Sequence, residues 1–174
     1  ANAAQEAEVN TAVSKLLGEL NVAGKDDYTK LRAIYDYITS NVTYDEVNKN
    51  NADYKLKHSA YAALINKTAV CQGYAVLLYR LALELDVDCR LIAGIGNGDN
   101  HGWNIAKIGN YYYNMDSTWD AGLTPAQYQC FLVGSKNFAN HVRWDKPGEL
   151  PTYENYNSAE FNAKYPMSEY NYTV

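Results

Sequence analysis

The sequence predicts an α+β fold in which a helical first half is followed by an antiparallel sheet. Apolar residues recur at helical spacing up to about residue 85, whereas the later runs are short, strand-like and separated by glycine. The length of 174 residues suits one domain. We therefore expect a single domain over residues 1–174, with a core at about 28–145 and a wrapping C-terminal tail at 146–174.

Two helices are predicted before the centre of the chain. Residues near 5–20 are rich in Ala, Glu and Leu, and Gly24 then marks a break, with Asp26 as a candidate N-cap. A second, amphipathic helix is expected to end near Asn41, because its apolar residues recur at helical spacing. These residues are Tyr28, Leu31, Ile34, Tyr35 and Ile38.

The predicted centre of the fold is a helix from Cys71 to about Leu85, the most apolar segment of the chain. A loop rich in Asn, Lys and Asp is expected up to about Lys55, and a short helix near Ser59–Asn66 precedes the central one. Because the central helix is apolar on most sides, we expect it in the middle of the fold.

The second half predicts four strands and an irregular end. Gly109-Asn110 suits a two-residue hairpin turn between the second and third strands, and Ser135 is expected to begin a helix that ends near His141. Three of the four prolines lie in the last thirty residues, which predicts little regular structure there. The predicted strands are Cys89–Ile95, Trp103–Ile108, Tyr111–Thr118 and Gln129–Val133.

Composition argues against several classes of partner. The formal net charge is −5 and no run of Lys or Arg stands out, so nucleic acid and anionic membrane surfaces are not expected as partners. No stretch approaches the ~20 apolar residues of a membrane span. The 17 tyrosines and the charged content of only 20% favour an extracellular or cell-surface setting. Because the first residue is Ala1, we expect either a processed form or an excised fragment.

The three cysteines include one candidate nucleophile. They form no C-x-x-C pair, so we expect no cysteine-based zinc site, and neither a metal nor another cofactor. Cys89 and Cys130 lie in apolar strands and are expected to be buried. Cys71 begins the central helix, where unpaired N–H groups and the helix dipole favour a thiolate. The alternative for Cys71 is a small buried residue at a tight helix start.

The predicted hairpin brings His101 and Asp116 to one face of the sheet. If the strands pair directly across Gly109-Asn110, position 103 faces position 116, and His101 lies diagonally from Asp116 at about 7–8 Å. A slip of one residue would move the two side chains to opposite faces. The alternatives are a surface histidine at a loop edge and an aspartate that caps a turn.

Cys71, His101 and Asp116 are the parts of a nucleophilic triad. In such a triad the imidazole takes the thiol proton, and the carboxylate holds the ring in one orientation and tautomer. Asp120 is a rival for the role of Asp116. The spacing of these residues in the sequence does not by itself show that the Cys71 thiol and the His101 imidazole lie close together in the fold.

Three ordered blocks resemble the transglutaminase-like superfamily, whose bacterial members read V-C-x-G-Y-A, then H-x-W-N, then D-x-T-W-D. The weaker similarities upstream and downstream extend the resemblance over about residues 28–145. The three blocks in this chain are Ala69-Val70-Cys71-Gln72-Gly73-Tyr74-Ala75, His101-Gly102-Trp103-Asn104 and Asp116-Ser117-Thr118-Trp119-Asp120.

The resemblance implies a papain-like α+β fold with the nucleophile on a central helix and the other two triad members on adjacent strands. It assigns the triad to Cys71, His101 and Asp116, and it implies acyl transfer through a thioester. The calcium dependence of animal transglutaminases is not carried over, because no acidic calcium loop is present.

The oxyanion hole has less support from the sequence. The backbone N–H at the start of the central helix is a natural donor. Papain-type enzymes supply a second donor from a Gln six residues before the nucleophile, where this chain has Ile65. Gln72 or Tyr61 is the expected substitute, and Trp103 is a further candidate for contact with the substrate.

We expect a thiol protease, which cleaves a peptide or amide bond in a protein or peptide substrate, because nothing in the sequence identifies the water-excluding amine channel that crosslinking needs. Two other reactions fit the same triad, namely protein crosslinking as a protein-glutamine gamma-glutamyltransferase and deglycosylation of asparagine-linked glycans. A different class of function is a non-catalytic binding module, for which the 17 tyrosines would suit a carbohydrate or peptide surface.

Overall fold

The computed structural model describes residues 1–145 and 155–174, and its first half is helical, as predicted. The helices are α1 (Ala3–Leu20), α2 (Asp27–Asn41), α3 (Cys71–Glu84), α4 (Ser117–Asp120) and α5 (Ala159–Lys164), with a 3₁₀ turn at Lys55–His58 and a π-helical turn at Ala62–Asn66. The strands are β1 (Thr43–Tyr44), β2 (Thr68–Ala69), β3 (Cys89–Gly96), β4 (Asp99–Ile108), β5 (Tyr111–Met115) and β6 (His141–Arg143).

Side-chain caps explain where the first two helices begin. Asn2 and Gln5 form a capping box at the start of α1, in which each side chain bonds to the backbone N–H of the other residue. Asp26 accepts a hydrogen bond from the N–H of Thr29 at 2.8 Å, as expected of an N-cap. Within the described residues, no helix is both long and apolar enough to cross a bilayer.

The main sheet has four antiparallel strands in the order β5-β4-β3-β6. Across the Gly109-Asn110 turn, Ile108 pairs with Tyr111 and Asn104 pairs with Met115. This is the predicted register, so positions 101 and 116 share a face. The predicted α+β class, with helices first and an antiparallel sheet after them, is confirmed.

Two strand predictions were wrong, because local backbone geometry interrupts the pairing. β5 ends at Met115, and Ser117 to Asp120 form the short α4. Residues 129–133 make only an isolated bridge, between Val133 and Asn114, because Leu132 adopts a positive φ of 54° that breaks an extended strand.

The helix predicted from Ser135 to His141 is also absent. The N–H groups of Ser135 and Lys136 donate to the carbonyls of Ser168 and Glu169, so they hold this segment against the C-terminal residues. Asn140 has a positive φ of 64°. The chain then enters β6, which pairs with β3 and which the sequence did not predict.

The tail contains more regular structure than predicted in the part that is described. Ser158 caps α5, and Tyr112 of β5 exchanges backbone hydrogen bonds with Pro166 and Ser168. Residues 146–154 of the predicted tail lie outside the described residues. The single domain over residues 1–174 stays a prediction.

Two apolar clusters cover the two faces of the sheet. The larger one joins α1, α2 and α3 to the face that carries Cys89, Ala106 and Met115. The smaller one packs the tail against the other face and consists of Ile92, Trp103, Ile105, Tyr112, Phe161 and Tyr165. The central helix therefore lies in the larger core.

Candidate active site

Cys71 is the first residue of α3, and it is half-buried. Val70 occupies the N-cap position without a side-chain cap, so the first N–H groups of the helix have no side-chain acceptor there. Gly73 brings this end of the helix close to the chain beneath it. A Cβ at position 73 would lie 2.7 Å from Ala69 Cβ and 2.8 Å from the carbonyl oxygen of Lys57.

His101 and Asp116 form a direct hydrogen bond. His101 Nε2 lies 2.6 Å from Asp116 Oδ2, and the side chains are 9% and 1% exposed. The distance between the two side chains is shorter than the diagonal separation of the backbone positions, because the ring and the carboxylate extend toward each other on the shared face. Gly96 on β3 makes room for this ring, since a Cβ there would lie 2.8 Å from it.

His101 and Cys71 line the same cleft, and the Cys71 thiol is one of the groups that raise the pKa of His101. Because Nε2 is used by Asp116, Nδ1 is the nitrogen that faces the thiol. Burial alone would lower the pKa of His101, but the hydrogen bonds to Asp116 and Cys71 outweigh it and raise the pKa to about 9. The raised pKa favours the protonated form of the His101 ring.

A second histidine, His141 of β6, contacts the same carboxylate. Its Nε2 lies 2.7 Å from Asp116 Oδ2, and its Nδ1 lies 2.9 Å from the carbonyl oxygen of Ala139. Burial raises the pKa of Asp116, but hydrogen bonds from His101 and His141 more than compensate, so the pKa lies below its ordinary value. The sequence predicted only that a helix ends near His141 and assigned no role to its side chain, whereas His141 begins β6.

Aromatic rings enclose both imidazoles. Trp119 stacks on His101 with a centroid distance of 5.3 Å and lies 4.1 Å from His141. Phe138 stacks on the other side of His141 at 3.7 Å. These contacts exclude water from the carboxylate and fix the planes of the two rings.

His101, Asp116 and His141 form the one group of potential metal ligands found within the described residues, with ligand atoms that all lie within 4.8 Å of one another. A tetrahedral zinc ion, with bonds of about 2.0–2.2 Å, needs ligand atoms about 3.3 Å apart. The 2.6 and 2.7 Å contacts are shorter than that and have the lengths of charge-assisted hydrogen bonds. The cluster therefore fits shared protons better than a metal ion.

A cleft of about 380 Å³ opens beside Cys71 and His101. Leu91, Ile92 and Ala93 of β3 supply an apolar wall. Polar and aromatic side chains complete the lining, namely His58, Gln72, Asn100, Trp144 and Tyr156.

The candidate oxyanion and substrate residues lie in three different places. Gln72 is exposed and lines the cleft next to Cys71. Tyr61 precedes the π-helical turn and packs against the helical core. Trp103 is 2% exposed, donates its indole N–H to Asn114, and lines a separate cavity of about 260 Å³ behind His141.

Asp120 has a different set of partners from Asp116. Its carboxylate accepts hydrogen bonds from the hydroxyl of Tyr35 and from the N–H groups of Gln129 and Cys130. It therefore joins α2 to the segment after α4. The two remaining thiols are buried, and burial raises the pKa of both Cys89 and Cys130 to about 12.

Fold and site together define a papain-like α+β protein, in which a thiol at a helix start faces an imidazole and a carboxylate on a sheet. The family model of the transglutaminase-like superfamily matches residues 14–117, which is more than half of the chain and includes Cys71, His101 and Asp116. The chain belongs to this superfamily, as its motifs predicted.

The kyphoscoliosis peptidases of Mus musculus and Homo sapiens are 25% and 24% identical to this chain over 152 residues, which cover 79% of it. The chain spans about a quarter of the length of these relatives, since the match covers 23% of each.

Two solved structures share the fold. One is a TGase, with a TM-score of 0.59 and 17% identity over 73% of this chain and 35% of that chain. The other is a "Putative Cysteine Protease" from Cytophaga hutchinsonii, with a TM-score of 0.54 and 22% identity over 78% of this chain and 41% of that chain.

Proposed function

We propose that this protein is a thiol-dependent acyl-transfer enzyme that hydrolyses a peptide or amide bond. Cys71 is the nucleophile, His101 the general base and acid, and Asp116 the residue that orients His101. The observation that carries the proposal is the His101 ring, which lies 2.6 Å from the Asp116 carboxylate and lines one cleft with the Cys71 thiol.

The reaction proceeds through a thioester. The thiolate sulfur of Cys71 attacks the carbonyl carbon, and the C–N bond then breaks as His101 gives its proton to the departing amine. A water molecule attacks the thioester carbonyl and gives a proton to His101. The C–S bond breaks, the acid product leaves, and His101 and Cys71 return to their starting state. Asp116 keeps Nδ1 of the ring aimed at sulfur throughout.

The start of α3 supplies the stabilisation of the tetrahedral intermediate. The backbone N–H of Cys71 is unpaired within the helix and lies beside the attacking sulfur, as an oxyanion donor must. Gln72 lines the same cleft and is the proposed second donor. The positive end of the helix dipole favours the oxyanion as well as the thiolate.

A peptide or protein is the proposed substrate class, in an extracellular or cell-surface setting. The cleft offers an apolar wall from β3 and two large aromatic side chains, Trp144 and Tyr156, which suit an extended chain with apolar side chains. The similarity to kyphoscoliosis peptidases and to a protein described as a cysteine protease supports hydrolysis.

Alkylation of Cys71 as a function of pH tests the triad. The rate of modification by iodoacetamide is measured in the unaltered protein and in His101→Ala, with peptide mass analysis to identify the labelled cysteine. We expect a midpoint well below the free-thiol value of about 8.5, and its return toward that value in His101→Ala.

Cys89 and Cys130 are the internal controls, since the folded protein keeps both buried. A Cys71 midpoint near 8.5 that His101→Ala does not change would refute the triad. In that case the domain is a binding module. If the triad holds, peptide substrates with and without a primary amine then separate hydrolysis from crosslinking.

A further inference from the structure

We propose that His141 is a positioning residue of the triad, which holds Asp116 in place so that His101 stays oriented toward Cys71. This inference rests on the proposed function and adds a fourth residue to it. His141 lies outside residues 14–117, the part of the chain that the family model matches.

The first support is that both histidines use the same carboxylate oxygen. Asp116 Oδ2 lies 2.6 Å from His101 Nε2 and 2.7 Å from His141 Nε2. Within residues 1–145 and 155–174, the other oxygen, Oδ1, is buried and has no hydrogen-bond partner. No third donor therefore fixes the carboxylate if one imidazole is removed.

The second support is that the His141 ring is itself held in one orientation. Its Nδ1 lies 2.9 Å from the carbonyl oxygen of Ala139 and its Nε2 lies 2.7 Å from Asp116 Oδ2, so each ring nitrogen faces a hydrogen-bond acceptor. The ring stacks on Phe138 at a centroid distance of 3.7 Å and lies 4.1 Å from the Trp119 ring, and its side chain is 1% exposed. Rotation would cost both the hydrogen bonds and the stacking.

The charged and titratable groups around His141 come from three elements. His101 comes from β4, and Asp116 follows β5. Arg143 lies two residues along β6 and lines the cavity behind His141. Cys71 is the next group beyond His101. Asp116 is the carboxylate among these groups, and it contacts both imidazoles.

Loss of His141 would therefore act through Asp116. A carboxylate that is 1% exposed keeps its charge only while donors compensate for its burial, and His141 is one of the two that do. With one donor left, burial shifts the carboxyl group of Asp116 toward its neutral form. The loss of a hydrogen bond also allows the group to rotate. A neutral or rotated Asp116 no longer stabilises the His101 imidazolium. As the pH falls, Cys71 is therefore protonated at a higher pH than in the unaltered protein.

Two amide substitutions separate this role from a merely structural one. The side-chain nitrogen of Gln reaches about as far as Nε2, so His141→Gln keeps a donor for Asp116. The shorter Asn reaches only as far as Nδ1, so His141→Asn keeps a donor for Ala139 and loses the one for Asp116. Both variants lose the ring and its stacking equally.

The measurement is the pH profile of Cys71 alkylation in the full chain, with His101→Ala as the reference. In His141→Asn we expect the acid limb to move up by about one to two pH units, which is the effect of losing a hydrogen bond to a charged group. The profile of His141→Gln should stay close to that of the unaltered protein. Thermal unfolding of both variants monitors the fold.

Equal profiles for the Gln and Asn variants would overturn the inference, because packing or the bond to Ala139 would then explain any change. If neither amide folds, His141→Phe keeps the stacking and removes both donors, and an unchanged profile there overturns the inference as well. The failure of the triad is distinguishable, since His101→Ala would then leave the Cys71 profile unchanged.

Discussion

At the scale of single residues, His101 is the group that connects the two halves of the site. One ring nitrogen contacts the Asp116 carboxylate and the other faces the Cys71 thiol. Burial by itself disfavours the charged form of the ring. The carboxylate and the thiol prevail because they are direct hydrogen-bond partners in a place that water does not screen. The protonated ring is therefore part of what stabilises the folded chain.

This protonation makes stability depend on pH in a defined direction. The pKa of His101 rises from 6.5 to about 9 on folding, so its contribution to the free energy of unfolding is complete below pH 6.5 and is lost as the pH rises through 9. We expect the difference in unfolding free energy between the unaltered protein and His101→Ala to shrink between pH 6.5 and 10. Urea unfolding at several pH values measures it, and a difference that grows with pH contradicts the assignment.

Residue-level reasoning from sequence identified the positions of Cys71, His101 and Asp116 because the hairpin turn fixed the register. It could not identify His141, since that contact depends on how a three-residue strand returns to the edge of the sheet. The side-chain partners of Asp120 likewise depend on tertiary packing against α2. Local patterns carry no signal for either arrangement.

At the scale of elements, the packing of α3 against residues 57–69 determines where the nucleophile lies. The helix approaches residues 57–69 so closely at Gly73 that a methyl group there would meet Ala69 at 2.7 Å and two backbone carbonyls at 2.8 and 3.1 Å. Two of the three neighbouring atoms belong to backbone, which cannot move aside as a side chain can. The helix start must therefore shift if position 73 gains a side chain.

We expect Gly73→Ala to destabilise the protein by about 1–3 kcal/mol, as overpacking does, and to slow the alkylation of Cys71 at neutral pH. Gly18→Ala is the matched control. It is also a helical glycine, but a Cβ there has no neighbour within 4 Å, so we expect it to be stabilising by up to about 1 kcal/mol. Denaturant unfolding compares the two variants. Equal effects at both sites would show that the close approach at Gly73 is unimportant.

Elements with a strong periodic pattern were predictable, and those defined by long-range contacts were not. The helices α1, α2 and α3 and the β4–β5 hairpin follow from apolar spacing and one turn. The residue Leu132 looks like part of a strand by its apolar neighbours, yet its φ of 54° ends the extended geometry. β6 exists because its backbone pairs with β3, which no local sequence signal indicates.

At the scale of the whole molecule, the sheet has one core on each face, and the tail completes the smaller one. Phe161 of α5 is 4% exposed and packs with Tyr165, Ile92 and Trp103 in this cluster. Trp103 in turn contacts His101 and His141. The tail therefore supports the face of the sheet that carries the imidazoles.

We expect Phe161→Ala to cost about 3–5 kcal/mol of stability, the range for removing a buried aromatic side chain. Tyr170→Ala is the control, since Tyr170 is an aromatic residue of the same tail that is 63% exposed. The midpoint of denaturant unfolding distinguishes them. A loss in Phe161→Ala no larger than in Tyr170→Ala would mean that the tail is not part of the cooperative core.

The positions of the three cysteines give the molecule a built-in reporter of its own tertiary order. The reactivity of Cys71 depends on the docking of a helix against a sheet, whereas Cys89 and Cys130 are buried in the folded chain. In a compact state that retains helices and strands but loosens their packing, Cys71 would react more slowly with a thiol reagent. Cys89 and Cys130 would become accessible to it. The set of cysteines labelled by one thiol reagent thus distinguishes the fully packed molecule from a state with loosened packing.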